Sequence, residues 1–247
     1  MAKILYVDIE TTPNIGLFWR PGYRVKIDHD NIVEERRICC ISYKWADDED
    51  VISLKWSMRQ CDKKMLKKIR KVLLEADSIV AHNGDRFDIP WINGRLMYHR
   101  LQPMGELPTD DSLKQARKHF SLNSNRLDYI GKFLKIGGKR ETGGYGLWKR
   151  VLLKNDRQAL KDMVEYCEGD VLLMQEIHEE MKPYIKPKQH MGIMEGGTRE
   201  SCPSCGSEQL AKAGTRITRV GKRQRYQCKD CGHYHTDTRQ IKITNKL

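Results

Sequence analysis

Several things are missing from this 247-residue sequence, and each absence removes a class of protein. No apolar run approaches the length of a membrane-spanning helix, so no membrane partner is expected. No secretory leader is visible, because the first residues go straight into a strand-like run; a cytoplasmic setting is the expectation. No internal repeat is evident, which argues against stacked-repeat architectures. A disulfide framework is also missing, although there are 8 cysteines. Four of them form two Cys-x-x-Cys pairs near the C-terminus, while Cys39, Cys40, Cys61 and Cys167 are scattered and read as buried, reduced thiols. Acids are the scarce sign of charge: 33 Asp and Glu face 45 Lys and Arg, for a net charge of +12. The excess is uneven. Residues 198–247 hold 11 basic residues against 4 acids. A polyanionic partner, most simply nucleic acid, fits that balance. Hydrophobic content of 39% supports a real core, and the length allows one medium domain with a small appendage.

What is present begins at Ile4. The run Ile4 to Ile9 is apolar and rich in β-branched residues, as in a buried strand. Asp8 and Glu10 close it. A period of two puts both acids on one face, where like charges are costly unless a cation lies between them. Oxygen-liganded Mg²⁺ or Mn²⁺ suits such a pair.

Residues 13–35 form a long connection with Phe18, Trp19, Arg20, Tyr23 and Arg24, a composition that suits either base stacking or packing onto its own domain. Strands are expected over 37–45 and 51–56, joined by an acidic turn. An amphipathic helix is expected over 62–76, with Met65, Leu66, Ile69, Val72 and Leu73 on its apolar face. A strand over 78–81 leads into His82-Asn83-Gly84-Asp85-Arg86-Phe87-Asp88, with Asp88 at the start of a helix to residue 101 and Asp85 in the turn. Helices follow over 110–119 and 125–135, the latter with Leu127, Ile130, Phe133 and Leu134 inward and Asp128 exposed or capping. The Gly-rich segment 137–150, with Lys139, Arg140, Tyr145, Trp148, Lys149 and Arg150, suits a mobile loop over a bound strand or a plain connection. Asp156 caps a helical region reaching about residue 181. Gly169 within it marks a junction or a close approach to the backbone. Tyr166 and Asp170, at i and i+4, share a face.

The acids thus stand at the end of the first strand, at the start of a helix after the fourth, and on a late helix. This order resembles the DEDD superfamily of 3′–5′ exonucleases, in its Tyr-containing branch, and particularly the proofreading exonuclease domain of family B DNA polymerases. The motifs are YVDIETTP, AHNGDRFD and YCEGD, and the likeness covers about residues 1–182. It implies an α/β, ribonuclease H-like mixed sheet flanked by helices. It also implies two catalytic Mg²⁺ or Mn²⁺ ions held by Asp8, Glu10, Asp88 and Asp170, with Tyr166 orienting the attacking water. Thr11, Asn83 and Phe87 would border the terminal nucleotide. Nothing of the size of a palm and fingers follows, so DNA synthesis is not expected.

Cys202, Cys205, Cys228 and Cys231 fall as Cys-x-x-Cys pairs separated by 22 residues, the spacing of a structural, four-thiolate Zn²⁺ site. Strands over 215–220 and 223–227 would flank a Gly221-Lys222 turn. The module resembles a zinc ribbon, and His233 and His235 read as surface residues. Arg216, Arg219, Lys222, Arg223 and Arg225 crowd the hairpin, suited to phosphates or to a protein partner. Three segments result: an exonuclease-like domain over 1–184, a linker over 185–200 with its Pro and Gly, and a ribbon over 201–247.

Together these readings describe a 3′–5′ exonuclease, bacterial or phage-encoded, acting on nucleic acid. Single-stranded DNA is its expected substrate and RNA the alternative. The competing readings are a non-catalytic nucleic-acid-binding protein and a structure-specific endonuclease of the same fold.

Overall fold

The computed structural model describes residues 2–20, 22, 26–139 and 143–241. Tyr23, Arg24 and Arg140, named above, lie outside these described residues. The order of elements follows the chain. Strand β1 (Ile4–Thr11) is followed by the short pair β2 (Ile15–Gly16) and β3 (Ile32–Glu34), then by β4 (Ile38–Trp45) and β5 (Ile52–Lys55). Next come α1 (Lys63–Glu75), β6 (Ser78–Ala81), α2 (Asp88–Tyr98), β7 (Thr109–Asp111), α3 (Ser112–His119) and α4 (Leu127–Phe133). Helices α5 (Tyr145–Leu153), α6 (Arg157–Met181) and α7 (Met191–Met194) precede β8 (Leu210–Thr218), β9 (Gly221–Cys228) and β10 (Tyr234–Thr236).

The main sheet has the order β5-β4-β1-β6-β7. Strand β1 lies at its centre, antiparallel to β4 and parallel to β6. Alternation along β1 sorts its residues between two cores. Leu5, Val7 and Ile9 pack with Leu66 and Ile69 of α1 and with Ile92 and Leu96 of α2. Ile4 and Tyr6 face the other way, onto Val171, Met174 and Ile177 of α6. Asp8 and Glu10 continue the α6 side, so the pleat itself aims both carboxylates at that helix. Among the described residues no helix is long and apolar enough to cross a membrane.

The mixed sheet flanked by helices is the expected architecture, with local differences. Asp110 and Asp111, expected as the start of a helix, belong with Thr109 to the edge strand β7, paired in parallel with β6. Its Thr-Asp-Asp has little intrinsic strand preference, and pairing to β6 decides the matter. Part of the expected loop 137–150 is helix α5. Helix α6 runs unbroken through Gly169, where an added Cβ would meet nothing within 4 Å. Gly169 therefore marks no junction, and no described residue comes close to its backbone. Phe133, expected inward, is 58% exposed and stacks on Tyr129, with ring centroids 6.3 Å apart. Cys61 is exposed rather than buried, unlike Cys39, Cys40 and Cys167.

Strands β8, β9 and β10 form a separate sheet in the order β10-β9-β8. The hairpin turn falls at residues 219–220, not at Gly221-Lys222, because Thr218 pairs with Gly221. Gly221 adopts φ 149° with Gln240 close against it, a placement that tolerates no side chain easily. His233 is buried, not on the surface, and its Nδ1 lies 3.2 Å from the carbonyl of Pro183.

Candidate active site and metal centres

Asp8, Glu10 and Asp170 meet where the end of β1 crosses α6: one carboxylate oxygen from each lies within 4.8 Å of the others. Three acids so close, with Asp170 only 2% exposed, need compensating charge. Their proton affinities record the strain. Burial, then the charge of Asp170, raises the Asp8 carboxyl to about 7. Burial and the charge of Asp8 raise Glu10 to about 9. Asp170 is also raised, by burial, although Lys139 opposes the shift. Such a donor set is what a hard divalent cation takes.

Asp88, 1% exposed, opens α2 rather than capping it. Its Oδ1 accepts a hydrogen bond from Ile9 N at 3.1 Å, between the two β1 acids. Burial, then the nearby charge of Asp8, pushes its pKa well above the carboxylate range. It therefore flanks the trio without completing it in this geometry.

Tyr166 stands one turn of α6 before Asp170. Lys139 bridges them, its Nζ 3.0 Å from the Tyr166 hydroxyl and in direct ion pairing with Asp170. Burial raises Tyr166 to about 12, outweighing the hydrogen bond from Lys139, so its phenol keeps its proton at neutral pH. Burial would pull the Lys139 ammonium down, but the Asp170 charge and both hydrogen bonds hold its pKa above the ordinary lysine value. Asp128, expected as an exposed or capping acid, fixes the approach of this lysine by accepting from Lys139 N at 2.8 Å. Gly131 lets the turn close, since a Cβ there would meet the Gly137 carbonyl at 2.6 Å.

The remaining predicted residues surround the trio. Thr11 is buried; its Oγ1 accepts from Arg36 Nη2 at 2.8 Å and its carbonyl from Trp148 Nε1 at 3.1 Å. Asn83 holds φ 72° at the turn before α2, where its carbonyl accepts from the amides of Arg86 and Phe87. Phe87 packs into the core beside Trp91. Asp85 pairs with Lys114 at 2.6 Å.

Four further residues shape this site: the sequence marks Cys167 only as a buried thiol and Trp148 only as part of the Gly-rich segment, while sequence reasoning passes over Asp111 and Arg36. Asp111 caps α3 and also accepts from Asn83 N at 3.1 Å and Asp85 N at 3.3 Å, tying down the turn before Asp88. Cys167, fully buried, donates to Asp8 Oδ2 and to the Asp8 carbonyl, both at 3.4 Å. Arg36 and Trp148 reach Thr11 from separate segments. The Asp before Ser112 was a legible capping signal, but its second role depends on the fold. Phe18 and Trp19 are exposed, Trp19 completely, so the connection does not pack them onto the domain.

The second centre is built from two knuckles. Cys202 Sγ lies 3.7 Å from Cys231 Sγ, and Cys205 Sγ 3.6 Å from Cys228 Sγ. A disulfide would require about 2 Å. Four thiolates about 2.3 Å from a tetrahedral Zn²⁺ sit about 3.8 Å apart, so the set fits zinc. Each knuckle ends in a glycine of left-handed φ, Gly206 at 76° and Gly232 at 75°, whose amides bond back to the Cys202 and Cys228 carbonyls. That repeated Cys-x-x-Cys-Gly pattern was readable in the sequence and supports the zinc reading.

The family model described as RNase_H superfamily matches residues 26–182. No curated protein matches the chain. A family B DNA polymerase from the hyperthermophilic archaeon Pyrobaculum calidifontis is structurally similar, with a TM-score of 0.56 at 16% identity. The likeness covers 74% of this chain and 25% of the polymerase, and it extends to the fold.

Proposed function

This chain belongs to the RNase_H superfamily, and from that premise we propose that it is a metal-dependent 3′–5′ exonuclease that hydrolyses single-stranded DNA from its 3′ end and carries a structural zinc ribbon. The observation that supports this most is the convergence of Asp8, Glu10 and Asp170 beside Tyr166. We take residues 1–184 as the catalytic domain, 185–200 as the linker and 201–247 as the ribbon.

Two Mg²⁺ or Mn²⁺ ions, held by Asp8, Glu10, Asp170 and Asp88, would supply an acidified water and charge neutralisation at the attacked phosphate. The protein's own groups do the rest. Tyr166, a phenol that stays protonated, donates or accepts a hydrogen bond at the attacking water rather than removing its proton. Cys167 holds the Asp8 carboxylate from behind, and Asp111 holds the turn that delivers Asp88. Trp148 and Arg36 fix Thr11, whose backbone borders the place of the terminal nucleotide. Cys202, Cys205, Cys228 and Cys231 would hold zinc in a closed shell with no place for water, so the ion would serve to hold the small ribbon folded. The basic ribbon then adds sequence-independent affinity for phosphates.

The test is digestion of 5′-labelled single-stranded DNA and RNA with Mg²⁺ or Mn²⁺, beside Asp8→Ala. A ladder shortening from the 3′ end, lost in the variant, is expected, with DNA cut faster than RNA. Cutting of circular single strands would make the protein an endonuclease. Binding without cleavage by either metal would make it a non-catalytic binder.

A further inference from the structure

Two of the clefts outside the carboxylate site lie one after the other. One, of about 1080 Å³, opens between the zinc-bearing sheet and the segment after α6; Tyr184, Lys186, Arg216, Arg223, Tyr226 and His235 are among its walls. The other, of about 780 Å³, is walled by His82, Arg117, Arg126, Lys132 and Lys139, and so begins at the lysine that touches Asp170. Helix α3 joins them, with Arg117 in the second cleft and His119 in the first.

We propose that these clefts form one continuous track for a single strand of nucleic acid, running from the carboxylates past α3 to the zinc-bearing sheet. The inference rests on the nuclease reading and says where the strand beyond the reacting end is held. Three observations carry it. First, Arg216 and Arg223 are direct cross-strand partners, and neither has a carboxylate partner among the described residues. Like charges placed opposite each other are destabilising, an arrangement that a bound polyanion relieves. Arg117 and Arg126 likewise have no acidic partner among the described residues. Second, aromatic rings form a ladder in the first cleft. Tyr226 and His235 are cross-strand partners with centroids 5.7 Å apart, and His235 stacks on His233 at 6.3 Å and 6°. Rings beside guanidinium groups are the means by which proteins hold unpaired bases regardless of sequence. Third, polar atoms there lack partners: His119 Nε2, Arg223 Nε and His235 Nδ1 are buried and make no hydrogen bond among the described residues.

Length sets the signature. Met181 stands eleven positions after Asp170 on α6, about 16 Å at the helical rise. The ring ladder lies beyond that end of α6, where His233 Nδ1 is 3.2 Å from the Pro183 carbonyl, so a strand must outrun this span to reach it; oligomers of about 4 and about 16 nucleotides are compared.

The experiment is fluorescence anisotropy with 5′-labelled oligothymidylates of those lengths, on zinc-loaded full-length protein without added Mg²⁺ or Mn²⁺. Wild type is expected to bind the long strand at least about tenfold tighter than the short one. Arg216→Gln/Arg223→Gln should lose about tenfold on the long strand, flattening the length dependence, and should lower the salt slope. Lys67→Gln/Lys68→Gln on α1 removes the same charge from an exposed face elsewhere and should keep the wild-type pattern. Zinc content verifies that each variant is folded, and Tyr226→Leu provides a second, charge-neutral variant with the same expected loss. Length-independent binding by wild type, or equal losses in the lysine and arginine pairs, would overturn the track while leaving the exonuclease reading intact. No binding of either strand would overturn the track, and digestion with Mg²⁺ or Mn²⁺ would decide the exonuclease reading separately.

Discussion

Lys139 places its ammonium against the Asp170 carboxylate and 3.0 Å from the Tyr166 hydroxyl, so a lysine from the turn after α4 bridges two groups on one face of α6. Among the described residues it is the cation that lies against these neighbouring acids, and its approach is fixed by Asp128 rather than by chance.

A divalent ion drawing on Asp170 must then compete with Lys139. The lysine side chain is 31% exposed and that of Asp170 3%, so desolvation offsets much of the attraction and the pair is worth on the order of 1 kcal/mol. Lys139→Met should bind Mn²⁺ about fivefold more tightly than wild type. Electron paramagnetic resonance of free Mn²⁺ measures this directly. Unchanged or weaker binding would show that the lysine does not compete.

The same acids make stability depend on pH. Burial and Asp170 raise Asp8 from 3.8 in a model peptide to about 7. Burial and Asp8 raise Glu10 from 4.5 to about 9. Between those limits the folded state holds more protons than the unfolded one, so stability falls as pH rises. The contribution is fully present below about 4 and is lost as pH passes through the raised values. Without added divalent metal, the melting temperature should drop between about pH 5 and pH 8. Mg²⁺ should restore it at the alkaline end, and Asp8→Asn should make the metal-free curve flatter. A wild-type curve that rises over this range would contradict the acid-pair account.

Much of this site was legible because it depends on period and order. Asp8 and Glu10 share a face by strand alternation, and Tyr166 and Asp170 share one by helical spacing; neither needs tertiary knowledge. The four cysteines were legible by spacing, and the glycine after each pair was a further signal. What escaped depends on contacts between distant segments. Strand β7 exists because β6 offers it a partner, not because Thr109-Asp110-Asp111 prefers extension. Lys139 was visible in a Gly-rich segment, but its meeting with Asp170, 31 residues on, follows from the closure of Gly137 on Gly131. His233 looked like a surface residue because only the fold places it under Pro183.

Stability away from the site rests on a second buried charge. Asp62 is fully buried and accepts from Arg95 Nε at 2.7 Å, Arg95 Nη2 at 3.0 Å and His99 Nε2 at 2.6 Å. Burial alone would raise its pKa, but these hydrogen bonds win and hold it below the ordinary value of 3.8. Its contribution to stability is therefore present above about 4 and is lost only as pH falls through the depressed value. This is opposite in sign to the acids at the candidate active site, so the two effects separate on one melting curve. Arg95→Ala leaves the buried Asp62 carboxylate with His99 as its remaining side-chain partner among the described residues and should cost about 3–5 kcal/mol in denaturant unfolding. Asp62→Leu/Arg95→Met removes both charges and should cost less than Arg95→Ala alone, because no unpaired charge remains. A double variant as unstable as the sum of its single variants would show that packing, not charge compensation, holds α1 to α2.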